Sequence, residues 1–265
     1  MWYCTFSSDK RGDGLKELSE VFIPIPNGII EASIKVNQWI LPVYCYLYIN
    51  KNILGTIDTT VKLIQNAYFT PKNRSQEKEN KENIAKALWL LTSNMTNENQ
   101  DVLYSSLIDI NKYENLSEEE ITLSEDLNLV ESLFNKFGDI DTFIKSFLTI
   151  KINYNCSKEK NFTKCSIEEY MFFKNYFSSI MGKDNKNKIT GFQLMYSYFL
   201  IKATISKKRK FKDTSFFGSG YVTTLSLKNF RNYCQFTSAK AESVLSELEK
   251  YKLIAINKNI IDLPN

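Results

Sequence analysis

The stretch LSLKNFRNYCQFTSAKAESVLSELEKYKLIAIN, residues 225–257, carries the clearest local signals in the chain. Ser226 is placed to cap a helix over 226–234, with Leu227, Phe230 and Tyr233 at inward spacing. Gln235 and Phe236 form the turn. Thr237 caps a second helix, whose Ala241, Val244, Leu245 and Leu248 share one face. Beyond it, Leu253–Ile256 and Ile260–Leu263 read as two strands about the turn Asn257-Lys258-Asn259. Upstream lie an apolar helix, Phe192 to Ile205, a basic run from Lys207 to Lys212 and a short strand, Val222 to Leu225.

The remainder of the chain repeats this order in outline. Val21 to Asn27 reads as an extended segment stopped by Pro26, and Ile29 to Ala32 as a short helix. Asn37 to Ile49 has apolar spacings of three and four, the pattern of a buried helix. Asp58 or Thr59 caps Thr60 to Ala67, a polar stretch 70–79 follows, and a helix runs from about Lys81 to Thr92. Asp101 to Tyr104 reads as a strand, Glu114 to Asp126 as an acidic linker, and Leu127–Phe137 and Thr142–Leu148 as helices. Lys151 to Tyr154 reads as a strand, and Ser166 caps a helix that reaches Gly182. The text GFQLMYSYFLIKATI, from Gly191, echoes NQWILPVYCYLYINKN, from Asn37. The expected fold class is α+β, mainly α with small β-wings. The expected division is an N-terminal domain over 1–110, an acidic and helical connector over 111–182, and a C-terminal domain over 183–265.

Composition narrows the function. The 265 residues contain no histidine, which removes histidine acid–base catalysis, Ser-His and Cys-His nucleophile pairs, and His-containing zinc sites. The five cysteines form no CxxC. Gly182-Lys183 is followed by Asp184, so there is no P-loop, and no GxGxxG occurs. Nothing in the sequence implies a cofactor, a metal or an enzyme. No run approaches the ~18–20 apolar residues of a membrane span. Met1 to Lys16 carries charges and no apolar core, so a cytoplasmic location without a membrane partner is expected. Charge is unevenly spread: residues 1–150 sum to −7 and residues 151–265 to +11. A basic half of this kind is the footprint of a polyanion partner.

On these residues, 225–257 resembles the winged helix-turn-helix superfamily. The capped helix with a V..L..L face, followed by Leu253-Ile254 at the step into the wing, fills the typical positions, while Lys252 stands where glycine is common. The resemblance covers about 70 C-terminal residues. Residues 21–104, with FIPIP ahead of ILPVYCYLYINKN, are similar to the N-terminal winged helices of plasmid and phage replication initiators and replisome organisers from low-GC bacteria. Together the two resemblances imply two winged helix-turn-helix domains joined by the acidic middle segment.

In such domains the second helix of the pair enters the major groove. The resemblance therefore implies base or phosphate contacts from Ser238, Lys240 and Ser243, with Glu242 opposing phosphate unless it accepts from a cytosine amine. Lys207, Lys208, Arg209, Lys210 and Lys212 form the densest phosphate patch. Lys228 and Arg231 lie on the preceding helix, and Lys258 at the expected wing tip. In the first half, Lys72 and Arg74 flank the corresponding helix, interleaved with acids. The expectation is a non-enzymatic double-stranded DNA-binding protein, a replication initiator or replisome organiser of a mobile element, with host replication proteins as further partners and a homodimer as a compatible state. The alternatives are a transcriptional regulator and a winged-helix module that binds only other proteins.

Overall fold

The computed structural model describes residues 2–5, 22–68, 71–97, 99–111, 120–122, 139–154, 161–180, 189–206 and 222–257. The chain is α+β and divides into two compact units. One, the inserted unit, is Ile23–Gly182. The other, the split unit, combines Met1–Phe22 with Lys183–Asn265. This differs from the three consecutive segments expected from sequence. The described parts of 111–182 belong to the inserted unit and are not a separate connector, and the N-terminal strand belongs with the C-terminal residues.

The elements in chain order begin with strands β1 (Trp2–Thr5) and β2 (Phe22–Pro26) and helices α1 (Asn27–Lys35) and α2 (Ile40–Asn50). Next come β3 (Thr56–Thr59), α3 (Val61–Tyr68) and α4 (Arg74–Thr92). Short strands β4 (Asn94–Thr96), β5 (Val102–Tyr104), β6 (Ile108–Ile110) and β7 (Glu120–Thr122) follow. They lead to α5 (Ile140–Lys145), β8 (Leu148–Ile152), β9 (Phe162–Ser166) and α6 (Ile167–Ile180). The C-terminal part supplies α7 (Gly191–Ser206), β10 (Val222–Leu225), α8 (Leu227–Cys234), α9 (Ser238–Lys250) and β11 (Ala255–Asn257).

In the inserted unit α2 is apolar almost all round, so it can be stable only at the centre. It packs on α1, α3 and α4, with Ile40, Leu41, Val43, Tyr44, Cys45 and Leu47 buried. Its buried tyrosine hydroxyl needs a partner, and Tyr44 Oη donates to Pro24 O on β2 at 2.8 Å. Tyr68, at the end of α3, donates to Pro42 O at 2.5 Å and meets Trp39 and Phe177 edge-on. Burial raises the Tyr68 phenol well above its usual value.

Several local expectations shift. The cap of α3 is Thr60, whose Oγ1 accepts from Leu63 N at 3.2 Å, because Asp58 and Thr59 are committed to strand β3. Helix α4 begins at Arg74, seven residues before the expected start at Lys81. Asn73 caps it by accepting from Gln76 N at 2.8 Å, and Lys81–Glu77 and Lys78–Glu82 pair along it. That first stretch is mostly exposed and made of good helix formers, so hydrophobic spacing does not register it. Ser166 and Glu169 cap α6 reciprocally: Ser166 N donates to Glu169 Oε2 at 2.7 Å and Glu169 N to Ser166 Oγ at 3.2 Å.

The sheets are small. Strands β3, β8 and β6 form an antiparallel sheet in that order, with Ile57 opposite Ile150 and Ile110 opposite Ile150 on the other side. Strands β10, β1 and β11 form the sheet of the split unit, also antiparallel throughout. The two sheets share a plan. A strand preceding a helix pair (β3, β10) forms one edge, and a strand following that pair (β6, β11) forms the other. A third strand fills the middle, β8 in one unit and β1 in the other. Ile260–Leu263, expected as the second wing strand, lies outside the described residues.

Candidate nucleic-acid interface

The helix pair α8–α9 is built by local chemistry at three points. Ser226 Oγ accepts from Asn229 N at 3.1 Å and starts α8. Gln235, with φ of 56°, ends α8 in the left-handed conformation; Gln235 N donates to Asn232 O and Phe236 N to Arg231 O. Thr237 Oγ1 then accepts from Lys240 N at 3.3 Å and starts α9. The turn between the helices is therefore three residues, Gln235 to Thr237.

The pair is held from below. Phe230, Cys234, Ala241, Val244, Leu245 and Leu248 are buried. Phe236 stacks on Tyr196 of α7 and meets Phe230 edge-on. Ser197 of α7 lies 3.7 Å from Cys234 Sγ, in hydrogen-bond contact, and burial pushes the Cys234 thiol up to about 12. Tyr233 was expected inward but is 59% exposed, and Cys234 takes the inward place. Leu227, Phe230 and Cys234 stand at i, i+3 and i+7 and so share one face, from which Tyr233 is turned away.

Of the residues expected to contact DNA, five come together here. Lys228, Ser238 and Ser243 are exposed, and Arg231 and Lys240 are half-buried. Arg231 Nη1 donates to Ser238 Oγ at 2.8 Å, so the guanidinium is held at the first turn of α9. Ser243 Oγ donates back to Ala239 O at 2.8 Å. Partial burial lowers the Lys240 ammonium from its usual value. Glu242 and Ser246 share the exposed side of α9. At the far end, Lys252 has a φ of 57°, and its N–H donates to Glu249 O at 2.8 Å, so a lysine makes the turn for which glycine is common. Glu249 Oε1 accepts from Ile256 N at 3.2 Å and ties β11 to the helix.

Lys72 and Arg74 are exposed at the start of α4, in the other unit. Lys207, Lys208, Arg209, Lys210, Lys212 and Lys258 lie outside the described residues. Tyr251 is exposed beside the helix end, with Lys250 Nζ 5.1 Å from its ring centroid. Among the described residues no group of three or more Cys, Asp or Glu side chains is placed to hold a metal ion, and no helix is long and apolar enough to cross a membrane. Comparison with protein-family models, curated proteins and solved structures gives no match.

Proposed function

We propose that this chain is a double-stranded DNA-binding protein with a winged helix in each unit, acting as a replication initiator or replisome organiser of a mobile element. The observation that carries the reading is the presentation of α9. Its N-terminal turn is capped and backed by a packed core, and its free side carries Ser238, Lys240 and Ser243 with Arg231 alongside. Small hydrogen-bonding groups flanked by cations suit base edges and phosphates. Support comes also from the net charge of +11 over residues 151–265 and from the edge–middle–edge strand plan common to both units. Two binding units in one chain suit iterated origin repeats.

The test is affinity for duplex DNA at two salt concentrations. Sub-micromolar binding that weakens steeply with salt is expected, since phosphate contacts release counterions. Tight binding to iterated repeats of the chain's own locus favours replication, and binding to a single upstream operator favours transcriptional regulation. One observation favours a protein-docking role instead: α9 exposes Glu242 in its first turns, whereas Lys240 is half-buried. Affinity insensitive to salt, or absent, would decide for that role.

A further inference from the structure

The sheet of the split unit depends on four residues from the other end of the chain. Strands β10 and β11 flank the α8–α9 pair in sequence, yet they are not neighbours in the sheet. Among the described residues each pairs only with β1. On one side Trp2 lies opposite Leu225, Tyr3 opposite Thr224, Cys4 opposite Thr223 and Thr5 opposite Val222. On the other, Tyr3 lies opposite Asn257, Cys4 opposite Ile256 and Thr5 opposite Ala255. The whole inserted unit, Ile23–Gly182, stands in the chain between this strand and its partners. In the inserted unit the corresponding middle strand, β8, belongs to the same continuous segment as its neighbours.

A strand in the middle of an antiparallel sheet sends successive N–H groups to opposite neighbours. Tyr3 and Cys4 therefore bond to different sides, and between them they connect β10 to β11. Without β1, strands β10 and β11 would have no partner strand among the described residues, with β11 retained by the Glu249–Ile256 bond alone among the contacts described above. We propose that Trp2–Thr5 is the positioning strand of the α8–α9 pair, so that duplex DNA binding by this unit requires the slot between β10 and β11 to be filled by the N-terminal residues. The proposal rests on the DNA-binding reading for its functional half, while its structural half stands on the pairing.

The experiment uses the full chain with Tyr3→Pro, Cys4→Pro and the strand-compatible Tyr3→Val. Hydrogen exchange is followed over 222–225, 255–257, α2 and α4, alongside affinity for mixed-sequence duplex DNA. Proline removes one ladder bond and clashes in a central strand, so a rise in exchange of about tenfold or more is expected. One variant should release β10 first and the other β11, with α2 and α4 still protected, weaker DNA binding in both, and near-normal behaviour in Tyr3→Val. Tyr3→Gly keeps every N–H and serves as the milder variant if the prolines also disturb α2 and α4. Unchanged exchange in both strands would overturn the proposal. So would loss of protection on truncation after Asn257 with no effect of the prolines, which would give the slot to residues 260–263. Raised exchange with full DNA affinity would remove the positioning role. If the parent chain binds no duplex, the DNA reading fails, and exchange alone decides whether β1 holds the sheet.

Discussion

Arg231, on the last turn of α8, donates from Nη1 to Ser238 Oγ on the first turn of α9 at 2.8 Å. The bond spans the three-residue turn, so the cation is fixed relative to the helix proposed to read DNA. Arg231→Ala removes both the charge and the tie, whereas Arg231→Lys keeps the charge and loses the planar fork. Arg231→Ala should weaken binding on all sequences and reduce the salt slope by about one. Arg231→Lys should restore the slope but leave the affinity for the best site below wild type. Equal affinities for the lysine variant and wild type would show that the tie to Ser238 has no part in binding.

Lys240 separates specific from non-specific binding. It sits in the first turn of α9, half-buried, with its ammonium lowered by desolvation. Lys240→Ala should flatten the preference between sites, costing roughly 1–3 kcal/mol on the best one. Replacing Lys207, Lys208, Arg209 and Lys210 together with alanine should weaken binding about equally on every sequence. Competition titrations with specific and mixed duplexes compare the two. An unchanged specificity ratio in Lys240→Ala would remove α9 from the recognition role.

Two helices of the split unit end on left-handed residues that are not glycine: Gln235 at φ 56° and Lys252 at φ 57°. The left-handed region costs an L-residue roughly 1–2 kcal/mol, and glycine's greater freedom in the unfolded chain offsets part of the gain. Gln235→Gly and Lys252→Gly should each stabilise the protein by about 0.5–1 kcal/mol. A rise in urea midpoint with an unchanged slope is the expected result.

Gly28, in the first turn of α1, has no room for a side chain. A β-carbon there would overlap the Leu103 carbonyl on β5, which is backbone and cannot swing aside. Gly28→Ala should destabilise the inserted unit by about 1–3 kcal/mol, the usual effect of overpacking. Thermal unfolding followed by hydrogen exchange should assign the loss to α1 and β5, leaving α8 and α9 unaffected.

The Cys234 thiol, raised to about 12 by burial, makes the split unit sensitive to alkali. The folded state holds its proton more tightly than the unfolded chain, whose thiol ionises near 9.0. Its contribution is therefore complete below pH 9.0 and declines as pH rises toward 12. Cys234→Ala should lessen the fall in stability across that window. In the native protein the thiol should resist iodoacetamide at pH 8 and react only on unfolding.

The helix pair was legible because its determinants are local. Ser226 and Thr237 cap within three residues of themselves, and Ala241, Val244, Leu245 and Leu248 mark one face by spacing alone. The apolar α2 was legible for the same reason. The start of α4 was not, since its first turns are stabilised by exposed ion pairs and a cap instead of apolar burial. Cys234 and not Tyr233 faces inward, as the i, i+3, i+7 spacing of Leu227, Phe230 and Cys234 requires, so the expectation of an inward Tyr233 misread a signal that was present in the sequence. The strands show the limit most sharply. Leu253-Ile254 announces a wing in the sequence, but nothing in WYCT over residues 2–5 announces its partner. A strand's hydrogen bonds are satisfied by whichever backbone the fold brings beside it. Here Tyr3 meets Thr224 and Asn257, more than two hundred residues away in the chain. The sequence by itself determined the α8–α9 pair, the caps of that pair and the basic character of the C-terminal half. Only the tertiary structure decided that the C-terminal sheet is completed from the N-terminus, because pairing across such separations is set by the packing of the whole chain.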